Sequence, residues 1–181
     1  MSRKYKFHNK QGLYFISFAV VYWMDVFVRK EYQNLMIDSL RYCQKEKGME
    51  IYCWCLMPSH VHLIFRAKNN DPADVIRDLK TFTSKSIQKA IAENPRESRK
   101  EWMLWMFERA GNNTNNVTGR QFWQQHNQPI ELWSPEVIEQ KVNYIHQNPV
   151  KAGFVTEAWH WKLSSAQNFA GQKGIIDIED L

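Results

Sequence analysis

The sequence predicts an α+β fold of the ferredoxin-like, RRM-like split βαβ kind. It would be a two-layer sandwich of helices on an antiparallel sheet, with an extra helix near the C-terminus. Three observations lead there. Strand-like and helix-like periodicities follow one another as strand, helix, strand, strand, helix, with one more strand expected after them. The two middle strands are separated only by Pro58 and Ser59, which fits a tight hairpin. A late segment opens with Ser134-Pro135-Glu136, a cap, a proline for the first turn and an acid near the positive end of the helix dipole.

Taken in order, Leu13–Val21 is β-branched and aromatic and reads as the first strand. From about Lys30 to Lys47, Tyr32, Leu35, Met36, Leu40 and Cys43 recur at helical spacing, and Gly48 is placed to close that helix. Met49–Met57 is the second strand. The stretch Leu56-Met57-Pro58-Ser59-His60-Val61-His62-Leu63-Ile64-Phe65 turns into the third. Asp71 and Pro72 start a helix expected to run to Ala92, with Val75, Leu79, Phe82 and Ile87 on its apolar face. Residues 96–111 read as a short helix ending at Gly111, Asn112–Gly119 as a mobile polar loop, and Arg120–His126 as the fourth strand. The helix begun at Ser134 is expected to stop near Asn148-Pro149, because a residue before proline avoids the α region. Residues 159–181 read as a tail packed as an extended arm on a single domain spanning 1–181.

Length and composition set limits. A chain of 181 residues, 44% hydrophobic and 24% charged, suits one globular domain. No apolar run approaches the roughly 18–20 residues needed to span a bilayer. The basic start Met1–Lys6 is not followed by a signal core, so a cytoplasmic protein without a membrane partner is expected. Cys43, Cys53 and Cys55 lack metal-ligand spacing and read as buried reduced thiols. The net charge of +5 is compatible with nucleic acid. With eight tryptophans there is material for stacking exposed bases, although most of the rings belong in the core.

The third strand carries the chemistry. Residues two apart on a strand share a face, so His60 and His62 sit side by side while Val61, Leu63 and Phe65 point the other way. Two imidazoles inside so apolar a strand point to a metal-ligand pair with open coordination positions for substrate. On the last helix Val137, Lys141, Tyr144 and Asn148 form one stripe, and Ile138, Val142 and Ile145 the adjacent core stripe. Tyr144 therefore lies at the edge of the buried face. His146 faces away from Tyr144 and is given no role. Lys80, Lys85, Lys89 and Arg120 are candidates to track phosphates, Lys141 and Lys151 to contact them, and Trp123 and Trp133 to stack bases.

Two motifs make the chain recognisable. Met57-Pro58-Ser59-His60-Val61-His62-Leu63, together with Tyr144-Ile145-His146-Gln147-Asn148-Pro149-Val150-Lys151-Ala152-Gly153-Phe154-Val155, resembles the single-tyrosine HUH transposases. These are the IS200/IS605-like enzymes and their domesticated relatives, the REP-associated tyrosine transposases, to which the second motif is more similar. The resemblance implies that His60 and His62 bind Mg or Mn, with Asn148 as the polar third ligand. It implies that Tyr144 attacks single-stranded DNA, joins the 5′ phosphate and leaves a free 3′ hydroxyl. The implied partner is single-stranded or hairpin DNA; a monomer and a homodimer both fit. The alternative is a catalytically silent hairpin DNA-binding regulator on the same scaffold, which would have no need of Tyr144 and both histidines together. An RNA-binding RRM would show an RNP1-like run, which is missing. A histidine-triad hydrolase would need histidine where Ile64 stands.

Overall fold

The computed structural model describes residues 7–114, 119–125 and 127–181. The basic stretch Met1–Lys6 lies outside them, as do residues 115–118 of the expected polar loop and His126.

Four strands form one antiparallel sheet: β1 (Tyr14–Ala19), β2 (Met49–Leu56), β3 (His60–Ala67) and β4 (Ile130–Glu131). The spatial order is β2-β3-β1-β4, so β1 and β3 are the inner strands. With α1 (Lys30–Lys47) between β1 and β2, and α2 (Pro72–Glu93) after β3, this is the split βαβ arrangement expected from the sequence. A further helix, α3 (Lys100–Asn112), precedes β4. Two more follow it, α4 (Pro135–Lys151) and the single turn α5 (Ala166–Phe169). No helix among the described residues is long and apolar enough to cross a membrane.

The alternation of side chains along the strands makes two cores. Ile16, Phe18, Val61, Leu63 and Phe65 point to the face covered by α1, α2 and α3, where Met36, Leu40, Leu79, Ile87 and Phe107 complete the larger core. Leu13, Phe15, Cys53, Cys55 and Ile64 point the other way, to a smaller core closed by Val142 and Ile145 of α4. A register shift between Ile51 and Cys53 puts the consecutive residues Tyr52 and Cys53 together in the smaller core.

Local signals explain the boundaries. Asp71 caps α2 by accepting from the Ala73 amide at 3.0 Å, and Ser134 caps α4 through the Val137 amide at 3.4 Å. Gly48 ends α1 at φ +63°, with Lys68 O only 2.4 Å from where a Cβ would stand.

Three expectations are corrected. Within the expected strand Arg120–His126, the described residues 120–125 do not form the fourth strand. Trp123 makes one isolated bridge to Val20, then its indole turns into the larger core and donates to Thr83 Oγ1 at 3.0 Å. The real β4 is two residues long and pairs with Tyr14 and Phe15. Trp123 is therefore a core residue and not a stacking platform. Finally, α4 does not stop at Asn148-Pro149. A proline this close to a helix end forfeits one backbone bond, and the helix continues to Lys151 until Gly153 turns it off at φ +75°.

The tail covers the outer edge of β2. Leu56 N–H donates to Leu163 O, Ser165 N–H to Trp54 O and Glu179 N–H to Ile51 O, each within 2.9 Å. An edge strand that would otherwise offer unpaired backbone groups is thereby closed.

Candidate active site

The β3 register sets the site. His62 pairs with Ser17 of β1 and Cys55 of β2, and His60 pairs with Ala19. Both imidazoles project to the α4 face, with ring centroids 4.7 Å apart and planes at 85°. α4 lies across that face because Val142 and Ile145 are buried in its core. That docking brings the Tyr144 ring to 5.3 Å from the His62 ring, edge-on. Phe15 lies beneath both, stacked near-parallel on His62 at 6.0 Å and edge-on to Tyr144 at 5.9 Å.

Asn148 is one helical turn beyond Tyr144, and its Nδ2 donates to Tyr144 O at 3.4 Å. Its amide is close enough to favour the protonated forms of both imidazoles, but it makes no hydrogen bond of good geometry to either ring. Burial dominates the other way. His60 is shifted below its ordinary value by burial, and His62 falls to about 3 through burial and the neighbouring His60. Both rings are thus neutral at physiological pH, the form in which imidazole binds metal.

His62 is 3% exposed, yet neither ring nitrogen has a hydrogen-bond partner. A buried polar ring left unsatisfied on both nitrogens costs stability and calls for an explanation outside the protein's own hydrogen bonds. The donor set, two neutral imidazoles and an amide, fits a divalent cation that keeps open positions. Among the described residues no group of three or more His, Cys, Asp or Glu is placed to share an ion. A cation here would keep its full charge for an anionic substrate.

Tyr144 is 44% exposed, so its phenol is open to a ligand. Lys141 sits 4.9 Å above the Phe15 ring and 5.6 Å from the Tyr144 ring, on the same open side. Lys151 is exposed at the far end of α4. The other basic candidates lie elsewhere. α2 is on the opposite face of the sheet, so Lys80, Lys85 and Lys89 are separated from Tyr144 by its thickness. Lys80 is also engaged: Nζ donates to Gln124 O at 3.2 Å and Asn127 Oδ1 at 3.0 Å, and burial lowers its pKa to about 8. Lys85 and Arg120 are exposed, and Lys89 pairs with Glu93 at 3.8 Å.

Sequence reasoning missed two parts of the site. Trp23 packs edge-on against His60 at 5.3 Å and is 59% exposed. It and Tyr22 hold φ of +55° and +56°, a conformation that costs a non-glycine residue about 1–3 kcal/mol. No local signal marks Trp23; the turn is imposed by bonds such as Val20 N–H to Ser59 O and Phe27 N–H to Pro58 O. The second part is His146. It faces away from Tyr144 as expected, but its Nε2 lies 2.9 Å from Ser165 Oγ and 3.2 Å from Cys53 Sγ, joining α4 to β2 and the tail. Burial lowers its pKa to about 4 and raises that of Cys53 to about 12.

A ferredoxin-like sheet that presents two imidazoles to a tyrosine-bearing helix corresponds to the class of tyrosine transposases. Comparison of sequences agrees. The chain belongs to the IS200-like transposases: the family model described as "Transposase IS200 like" matches residues 10–108, more than half of the chain, including both histidines. It is thus an enzyme of the transposase class. A Haemophilus influenzae protein named as a REP-associated tyrosine transposase is 24% identical over 169 residues, covering 91% of this chain and 85% of its own. A solved structure of a REP-associated tyrosine transposase bound to a REP hairpin superposes with a TM-score of 0.66. It shares 19% identity and covers all of this chain and 95% of that one, which shows a common fold.

Proposed function

We propose that this transposase cuts and rejoins single-stranded DNA next to a hairpin through a 5′-phosphotyrosine intermediate, with Tyr144 as the nucleophile. The observation that carries the reading is the Tyr144 ring held 5.3 Å from the doubly unsatisfied, buried His62 within one chain. His60, His62 and Asn148 would hold Mg or Mn. Imidazole nitrogens suit Mn better than Mg. When bound, the ion would neutralise charge on the scissile phosphate and orient it.

The chain's own residues do the rest. Tyr144 Oη attacks phosphorus, the P–O3′ bond breaks, and the strand leaves with a free 3′ hydroxyl. The phosphate stays esterified to the phenol, so a 3′ hydroxyl can attack it later and re-form the phosphodiester without an external energy source. Phe15 supports both the His62 ring and the phenol. Lys141 and Lys151 supply positive charge for flanking phosphates, and Trp23 walls the His60 side. Lys85, Lys89 and Arg120, away from the site, suit the hairpin stem's backbone rather than the cut strand.

The test is incubation with end-labelled hairpin DNA carrying single-stranded flanks, in Mn and in chelator, followed by a denaturing gel. A covalent adduct is expected in Mn, absent in chelator and absent in Tyr144→Phe. Retarded DNA without an adduct in any condition would instead identify a binding regulator.

A further inference from the structure

At the end of α4 opposite Asn148, an open cleft of about 350 Å³ lies between the helix start and the sheet. Its walls include Asn9, Gln11, Arg66, Glu131, Trp133 and Ile138. Trp133 is 80% exposed, more than any other large apolar side chain among the described residues. An indole left in water at the mouth of a cleft forgoes a large hydrophobic gain unless something stacks on it.

Arg66 comes from β3, on the same face as His60 and His62 and at the other end of the strand. Its Nε is buried without a hydrogen-bond partner. No carboxylate stands within ion-pair range of it among the described residues; Glu50, opposite it in the register, pairs with Lys68 at 3.9 Å. The guanidinium lies over the Tyr52 ring at 5.8 Å. Glu131, the acid in the cleft wall, already accepts from Asn9 Nδ2 at 2.8 Å. The cleft therefore offers an uncommitted cation beside an uncovered aromatic face, with the Gln11 amide at its edge.

We propose that this cleft is a nucleotide subsite. It takes one base of the single-stranded DNA flanking the cut, stacked on Trp133, with an adjacent phosphate on Arg66. A stacking surface paired with a guanidinium is how single strands are held, and a side-chain amide can pair with a base edge. An open cleft suits one residue of a polymer. From Pro135, two residues after Trp133, to Tyr144 the helix rises about 14 Å at 1.5 Å per residue. With the extended residues before it, the separation is on the order of 15–20 Å, or about four to six stacked nucleotides at 3.4 Å per step. The base read here thus lies within a few nucleotides of the scissile phosphate, and it determines where the strand is cut. The inference rests on the proposed DNA-cutting function, but it is tested by binding alone.

The experiment measures binding of the full chain, in chelator, to a labelled hairpin with mixed-sequence single-stranded flanks and to the same hairpin without flanks. Trp133→Ala is expected to weaken binding of the flanked DNA roughly 5- to 100-fold, the range carried by base–aromatic stacking. It should leave the flankless hairpin unaffected, and Trp133→Phe should restore most of the loss. Arg66→Gln should weaken flanked binding and lower its salt dependence. Trp133 is exposed, so its variants keep the fold. Equal binding of flanked DNA by Trp133→Ala and the unchanged protein would overturn the subsite, as would an equal loss on both DNAs. Absence of a Tyr144 adduct alongside a flank-dependent loss would instead overturn the cutting chemistry and keep the subsite.

Discussion

The α1–α2 face of the sheet and the α4 face are made from the same strands, yet they handle polar groups differently. On the first, Val61, Leu63 and Phe65 are fully buried among aliphatic and aromatic side chains, Thr83 Oγ1 donates to Leu79 O at 2.7 Å and accepts from Trp123, and the buried Trp54 Nε1, from β2, is unpaired. On the second, the alternate residues of the same strand are His60, His62, Ile64 and Arg66, and His62 and Arg66 carry buried nitrogens with no partner. The first face stabilises the fold by burying apolar area. The second lowers stability to keep binding groups bare. A single strand can do both because its side chains alternate.

The sharpest way to break this contrast uses neighbouring residues. His62→Leu is expected to reduce metal-dependent cleavage by at least about 10²–10³-fold, the cost of losing a major electrostatic stabiliser. The same change should leave the thermal midpoint of the metal-free protein unchanged or higher, because an unsatisfied buried ring is replaced by an apolar one. A fall in midpoint with cleavage intact would reverse the roles of the faces. Leu63→Ala, one residue on, should do the opposite: a loss of about 2–5 kcal/mol in denaturant unfolding, with cleavage kept while the protein is folded.

A smaller effect concerns His146. Its folded pKa, about 4, is below the ordinary 6.5, so the unfolded chain binds the proton more readily. Its contribution is present in full above pH 6.5 and is lost as pH falls towards 4, a change of about 3 kcal/mol at 1.36 kcal/mol per pKa unit. His62 and His60 add to the same slope. Urea titrations across that range should show a flatter pH dependence for His146→Asn, by that amount. An unchanged slope would mean that His146 is not buried against Cys53 and Ser165. The smallest effect is expected at Trp23. Trp23→Ala should slow cleavage several-fold without approaching the stability loss of Leu63→Ala, since the ring is largely exposed.

Much of this was legible in the chain because it depends on local periodicity. Alternation along His60–Phe65 separates the two faces, helical spacing puts Tyr144 and Asn148 on one stripe, and Asp71 and Ser134 mark helix starts by capping chemistry. What was not legible depends on contacts distant in sequence. Phe15 reaches His62 only because β1 pairs with β3. Trp123 looked like part of a strand but is drawn into the core by packing on Phe18 and Phe27. The basic face of α2 was visible, but not that the sheet lies between it and Tyr144. Nor can a sequence show that Ser165 returns to meet His146 beneath α4.

The central claim is that a single chain assembles the phenol, both imidazoles and the amide into one site. Mixing equal amounts of Tyr144→Phe and His62→Ala protein on flanked hairpin DNA in Mn tests it most directly. Neither variant should cut alone, and the mixture should not cut either, because neither chain holds a complete site. Restored cleavage in the mixture would contradict this account: the tyrosine would then act on a phosphate held by another chain's histidines.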